Sequence, residues 1–432
     1  MPKAPTIATS FPIERFALDN GLRVVVSPDR SSPTVDVTIA YDVGMRSEPK
    51  GRTGFAHLFE HFMFQGSKNL PKGEFDKHIE SNGGVNNGFT RADQTVYYEV
   101  LPSNALEIAL FLEGDRLRGL DLTEESLQNQ IDVVKEEIRV NVLNAPYGGF
   151  PWEFLPGVMF ETFANAHDGY GSFEDLEAAT IEDAIDFFDK YYAPGNAILA
   201  VAGDTATEEV AKLVERHFGD IPARPVPAKG DFSEALPGSE RRKTHTDPNA
   251  PRPAVALGYR VPNPIDELED YAASVVLASI LGDGDASRLY QRLVKTDRIA
   301  THLQAYVGEF GDAFGSADPT MLQIVAYYVD PKAKSKVIGT IDEEITKVAE
   351  GVDAAEVQRV TSAMTAAHLA GVDQIIGRTT DLAALEQIRG RAEFINEIPT
   401  VLRSVTPAGV SEAAARWLRG DTRAVLEWDP KS

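Results

Sequence analysis

Residues 57 to 61 read His57-Leu58-Phe59-Glu60-His61. On an α-helix, positions i and i+4 share a face, so the two imidazoles can meet at one point with Glu60 beside them. Two histidine nitrogens and a nearby carboxylate are the donors that suit a metal such as zinc. The surrounding Phe55, Leu58, Phe59, Phe62, Met63 and Phe64 are apolar nearly all round, which predicts a buried helix. Buried polar groups must be satisfied, and a bound metal would do so; the other reading of these five residues is a pair of core histidines bonded to backbone and to Glu60. The chain has no cysteine, which excludes disulfides, thiolate ligands and cysteine nucleophiles and leaves His, Asp and Glu to hold any transition metal. The other six histidines (His78, His167, His217, His245, His302 and His368) have no ligand spacing among themselves and are read as surface or core residues.

The elements that must position this motif repeat along the chain. Leu22–Val26 and Thr34–Asp42 are rich in β-branched residues and read as strands, followed by helices over Phe55–Phe64 and Gly73–Ser81. Gly88–Leu101 reads as a strand entered through Asn-Gly. Helices are expected over Asn104–Arg118, Glu124–Asn141, Ala179–Tyr192 and Thr207–Phe218, with a strand at Ala197–Gly203. Beyond Gly219 the sequence turns rich in Pro, Gly and charge, as a linker does. The order then recurs: strand Arg252–Val261, helix Asp270–Gly282, strand Met321–Val329, helix Lys332–Glu350. The segment from Thr123 (TEESLQNQIDVVKEEIRVN) is echoed by the one from Asp353 (DAAEVQRVTSAMTAAHLAG). This predicts an α+β fold of two tandem homologous domains, 1–228 with the metal site and 241–432 without one, joined by a linker at 229–240.

Composition narrows the function classes. A length of 432 residues exceeds one ordinary core, and 43% hydrophobic with 25% charged residues is the balance of a soluble globular protein. The net charge of −24 argues against nucleic acid and against anionic membrane surfaces as partners. The longest apolar stretch, Ala272–Leu281, falls short of the ~20 residues that span a bilayer. The first residues carry no apolar signal core, so a cytoplasmic location is expected.

The segments HLFEHFMFQGS (57–67), GGVNNGFTRADQTVYYEVLP (83–102) and NQIDVVKEEIRVN (129–141) together resemble the pitrilysin-type (M16) metallopeptidases, in the short two-domain class that includes the mitochondrial processing peptidase. His-x-x-Glu-His is the inverted form of the His-Glu-x-x-His motif. The resemblance covers nearly the whole chain. It implies domains that are each a mainly antiparallel sheet packed with helices, together forming half of a clamshell. It also implies one Zn2+ per chain on His57, His61 and a Glu in the VVKEEI segment. In the family that Glu lies about 76 residues beyond the second His, so the resemblance makes Glu137 the ligand; Glu136 lies about 100° round the helix, and only one of the two can face the metal. Glu60 is then the catalytic base. Gln130 stands where the family often has Glu and is expected to hydrogen-bond beside Glu137. Gly84–Thr90 resembles the edge strand that pairs with substrate, which makes Asn87, Gly88, Phe89 and Thr90 substrate-binding candidates. The plain reading of Asn86-Asn87-Gly88 is instead a tight turn.

One departure bears on partners. Family members competent alone carry an Arg and a Tyr in the second half that bind the substrate carbonyl, and the matching positions here are Val294 and Thr301. The resemblance therefore implies a zinc endopeptidase that cleaves peptides or unfolded segments as one subunit of a heterodimer. The other subunit, homologous to this one, supplies the Arg/Tyr pair; a homodimer is the variant of this reading. The alternative is a non-catalytic peptide-binding subunit with a structural zinc.

Overall fold

A computed structural model describes residues 10–431. The first half begins with β1 (Glu14–Ala17), β2 (Arg23–Pro28) and β3 (Thr34–Tyr41), then α1 (Phe55–Phe62), α2 (Glu74–Ser81), β4 (Val85–Thr90) and β5 (Thr95–Pro102). Then come α3 (Leu106–Arg118) and α4 (Glu124–Ile138), three short helices α5 (Pro156–Met159), α6 (Phe163–Ala166) and α7 (Phe173–Glu177), and finally α8 (Ile181–Tyr191), β6 (Ala197–Gly203) and α9 (Thr207–Phe218). The second half runs β7 (Arg241–Asp247), β8 (Ala254–Arg260), α10 (Leu268–Gly282), β9 (Ala300–Val307), β10 (Met321–Tyr328), α11 (Lys334–Glu350), α12 (Ala354–Asp373), α13 (Ile375–Arg389), α14 (Ile398–Ser404), α15 (Pro407–Trp417) and β11 (Ala424–Pro430).

Each half builds one sheet. The first is ordered β1-β2-β6-β3-β5-β4 and the second β7-β11-β8-β10-β9, with all pairs antiparallel except β2·β6 and β11·β7. With β1 set aside, the two orders are the same circuit, so the fold is α+β with two repeats of one topology. Both copies of the echoed helix start on a side-chain cap: Thr123 Oγ1 accepts from Ser126 N–H, and Asp353 accepts from Ala355 N–H. Strands β6 and β8 are buried at every position, as strands covered on both faces must be.

The stretch 88–101 is not one strand. The chain reverses at Arg91–Gln94, where Arg91 N–H donates to Gln94 O (2.8 Å), and Asn87 and Gly88 lie inside β4 opposite Tyr98 and Tyr97. The Asn-Gly turn reading is therefore not what the chain adopts. The ladder to β5 holds these residues extended, which places β4 at the edge of the sheet.

The halves cover each other. Helix α13 lies on the face of the first sheet opposite α1, and Val25, Ala40, Val96, Ile198 and Ala200 there join the second half's core. In return, Phe150, Leu155, Val158, Met159 and Phe160 pack on Ala254, Ala256, Val325, Leu426 and Trp428 of the second sheet. Residues 222–237 form neither helix nor strand. They are nonetheless pinned: Glu234 accepts hydrogen bonds from Thr162 N–H and Oγ1, and Phe232 O accepts one from Asn165. No helix among the described residues is long and apolar enough to cross a membrane.

Candidate metal centre

Helix α1 starts where a glycine is required. Gly54 has φ 85°, and a Cβ there would sit 2.4 Å from Tyr170 O. The N–H groups of this first turn that have no partner within the helix are met from a distance in sequence: the buried Glu48 accepts from Gly54 N–H (2.9 Å) and Ala56 N–H (2.8 Å). A carboxylate is thus placed at the positive end of the helix dipole. His167 Nε2 lies 3.1 Å from Glu48 Oε2. Burial pulls the His167 pKa down, but hydrogen bonds to Glu48 and to Phe163 O outweigh it and the net shift is upward; burial raises that of Glu48.

Helices α1 and α4 pack together and bring three ligand atoms to one point. His57 Nε2 and His61 Nε2 are 3.3 Å apart; Glu137 Oε2 is 3.3 Å from His61 Nε2 and 3.7 Å from His57 Nε2. Tetrahedral zinc with bonds of 2.0–2.1 Å has ligands about 3.4 Å apart along each edge, so this set has the spacing of three corners. Burial, then the neighbouring His61, depresses His57 to about 4, so its imidazole is neutral at pH 7 and keeps a lone pair to offer. The hydrogen bond from His61 is the main cause that lowers Glu137, which stays ionised. His57 Nδ1 is buried without a hydrogen-bond partner among the described residues. Donor types and spacing fit zinc.

Glu60 stands beside this group without joining it. Its Oε2 accepts from Thr90 Oγ1 (2.8 Å) on the edge strand. Burial raises its pKa, and the Thr90 hydrogen bond works against that. Both line a cleft of about 410 Å³ with His57, Phe89, Trp152 and Tyr170, closed from the second half by Glu309 and Phe310. Glu309 accepts from Ala92 N–H (2.9 Å), and the Arg91 guanidinium sits over the Phe310 and Phe89 rings at 4.6 and 5.2 Å. Phe310 has φ 50°, a left-handed conformation costing a bulky residue roughly 1–2 kcal/mol, and it is held there at the mouth of the cleft.

The structure brings His57, Glu60, His61 and Glu137 together, with Phe89 and Thr90 beside them. Asn87 is exposed on the edge strand, and its Oδ1 accepts from Gly88 N–H (2.9 Å). A Cβ at Gly88 would press on the Tyr97 ring at 3.0 Å, and Tyr97 OH in turn donates to Phe59 O in α1. Glu136 points away from the group to pair with Arg139. Gln130 corrects an expectation: two turns before Glu137 it is buried and donates to Asn129 Oδ1, with no hydrogen bond to the histidines or to Glu137 among the described residues. The hydrogen bond expected of it comes instead from Tyr170, whose OH donates to Glu137 Oε1 (3.0 Å), and from Asn141. Neither was anticipated. Tyr170 lies in a loop (HDGYGS) whose only local signal is an aromatic residue between two glycines.

Comparison with known proteins fits this geometry. The family model described as Insulinase (Peptidase family M16) matches residues 23–146, and the one described as Peptidase M16 inactive domain matches residues 178–364. A Helicobacter pylori protein named Zinc protease PqqE is 32% identical over 296 residues, 67% of this chain and 65% of that protein. The bovine Mitochondrial-processing peptidase subunit beta is 29% identical over 225 residues, 50% of this chain and 45% of its own length. The match thus spans less than two thirds of either relative. The crystal structure of a protease from Helicobacter pylori shares the fold with a TM-score of 0.88, at 24% identity, over 98% of this chain and 100% of that one. With one family's models over both of its halves, the chain belongs to peptidase family M16.

Proposed function

We propose that the chain is a zinc-dependent endopeptidase acting on peptides or unfolded segments, with its division at 1–228, 229–240 and 241–432. The observation that carries this reading is the convergence of His57, His61 and Glu137 at ligand spacing with the non-ligating Glu60 beside them. Three protein ligands are the donor set of catalytic rather than structural zinc, which keeps a fourth position for water or substrate. Zinc held there supplies an acidified water and a polarised substrate carbonyl. Glu60 does the proton work. Its Oε2 accepts from Thr90, which orients the carboxylate that takes the water proton and returns it to the leaving amine nitrogen. Strand β4, paired on one side only, offers its free edge to an extended peptide, with Asn87 to Thr90 along it.

The same reading assigns the chain the role of zinc-bearing subunit in a heterodimer, half of a clamshell. Val294 and Thr301 stand where a carbonyl-binding Arg and Tyr are expected, and Thr301 Oγ1 is bonded to Tyr327 O. The purified chain should bind one zinc. With its partner subunit it should cleave a quenched peptide in a chelator-sensitive way, and Glu60→Gln should lose at least 1,000-fold in kcat while retaining zinc. Turnover by the chain alone would overturn the subunit assignment. Zinc binding without turnover, partner present, would show the non-catalytic alternative instead.

A further inference from the structure

Outside the ligand set, the segment 167–175, a loop that runs into the first turn of α7, touches both helices of the metal site. The loop is fixed to the start of α1: Thr53 N–H and Oγ1 donate to Asp175 (3.1 and 2.6 Å), and Ser172 N–H donates to Thr53 Oγ1. Gly54 and Gly171 pack so closely that a Cβ on Gly171 would lie 2.4 Å from the Thr53 carbonyl. His167, at the loop's beginning, is bonded to Glu48, which caps α1. The aromatic residue between these anchors reaches across to α4. Tyr170 sets its ring edge-to-face on His57 (4.9 Å) and its hydroxyl on Glu137 Oε1 (3.0 Å).

The hydroxyl has one proton, and its direction is set. Asn141 Nδ2, in the π-helical turn that follows α4, donates to Tyr170 OH (3.2 Å) and so occupies a lone pair. An amide nitrogen cannot accept, so the Tyr170 proton goes to Glu137 Oε1. The carboxylate is thereby divided: Oε1 is taken by Tyr170, and Oε2 is the oxygen that faces the two imidazoles.

We propose that Tyr170 is the positioning residue of the metal site: by holding Glu137 Oε1 it presents Oε2 alone to the zinc, and by its place on the 167–175 segment it ties the Glu137 carboxylate to the helix that carries both histidines. The inference rests on the reading of His57, His61 and Glu137 as zinc ligands. Hydrogen bonds to ligands of this kind typically account for 10- to 100-fold in metal affinity, because they limit the orientations the ligand samples. The ring of Tyr170 also packs on Trp152 and His57. Phenylalanine keeps that packing and removes only the hydroxyl, with its bonds to Glu137 and Asn141.

The test is zinc affinity by chelator competition, measured on the full chain and on Tyr170→Phe. Wild type should bind one zinc, and Tyr170→Phe should bind at least tenfold more weakly with an unchanged thermal transition of the metal-free protein. The cobalt(II)-substituted variant should show an altered visible spectrum, because Glu137 Oε1 is then left with only the long bond from Asn141. At saturating zinc, kcat should fall with KM little changed. Asn141→Ala should move affinity in the same direction by less. Failure of wild type to bind zinc overturns the ligand assignment itself. Wild-type binding, with the same affinity and cobalt spectrum in Tyr170→Phe, overturns the role of Tyr170.

Discussion

Glu60 is surrounded by apolar residues of its own helix, and burial favours its neutral form, which cannot accept a proton. The hydroxyl of Thr90, thirty residues on and in another element, offsets part of that. Thr90→Val keeps the branched shape and removes the donor. It should lower kcat/KM about tenfold, the worth of one hydrogen bond to a charged group, with zinc content unchanged. An unaltered rate would mean that Glu60 does not need this bond. At this scale, what the sequence shows is what lies within one turn of helix: the spacing of His57, Glu60 and His61 displays their common face. Glu137 has no such local signal and was reached only through resemblance. Glu48 and Tyr170, and the bond that Thr90 makes to Glu60, are contacts between distant segments, which no period displays. Gln130 was placed on the right helix, but its amide found a partner next door.

At the scale of elements, hydrophobic pattern revealed what was periodic. Strand β6 and helix α9 occupy the residues expected of them, and α1, α3 and α10 are within two residues of their expected starts. Strand β7 has no sequence signal because RRKTHTD lacks apolar alternation; it is a mostly exposed edge strand held by its parallel pairing with β11. The helix α13 was also unread, and it carries an electrostatic consequence. Its Thr379 donates to the fully buried Asp36 on β3 (2.7 Å), and burial lifts Asp36 from 3.8 to about 7. The folded pKa lies above the unfolded one, so the fold binds a proton that the unfolded chain releases. This contribution to stability is whole below pH ~4 and is lost as pH rises through 7. In paired denaturation series, Asp36→Asn should therefore gain on wild type between pH 4 and pH 8, by an amount on the order of 3–4 kcal/mol at most. A constant difference across that range would show that Asp36 does not hold a proton in the folded state.

At the scale of the molecule, the repeat was legible as two similar runs of elements, but the exchange of cover between them was not, since nothing in a helix's sequence names the sheet it will lie on. That exchange makes the halves dependent on each other. Residues 10–240 expressed alone would expose Val25, Ala40, Val96, Ile198 and Ala200 on one sheet face, and the 150–160 segment would have nothing to pack on. Such a fragment should aggregate, and co-expression with residues 241–431 should restore a soluble complex; a monomeric, cooperatively melting fragment would contradict this. The order of synthesis adds a further consequence. The first sheet is complete at Gly203, while the helix that covers it begins at Ile375, roughly 170 residues later, which at ~5–20 residues per second is on the order of 10–30 s of translation. Throughout that interval the nascent chain carries a finished strand circuit with one bare apolar face, so this protein is a natural client for whatever chaperone waits at the ribosome exit, and its rate of elongation becomes part of its folding.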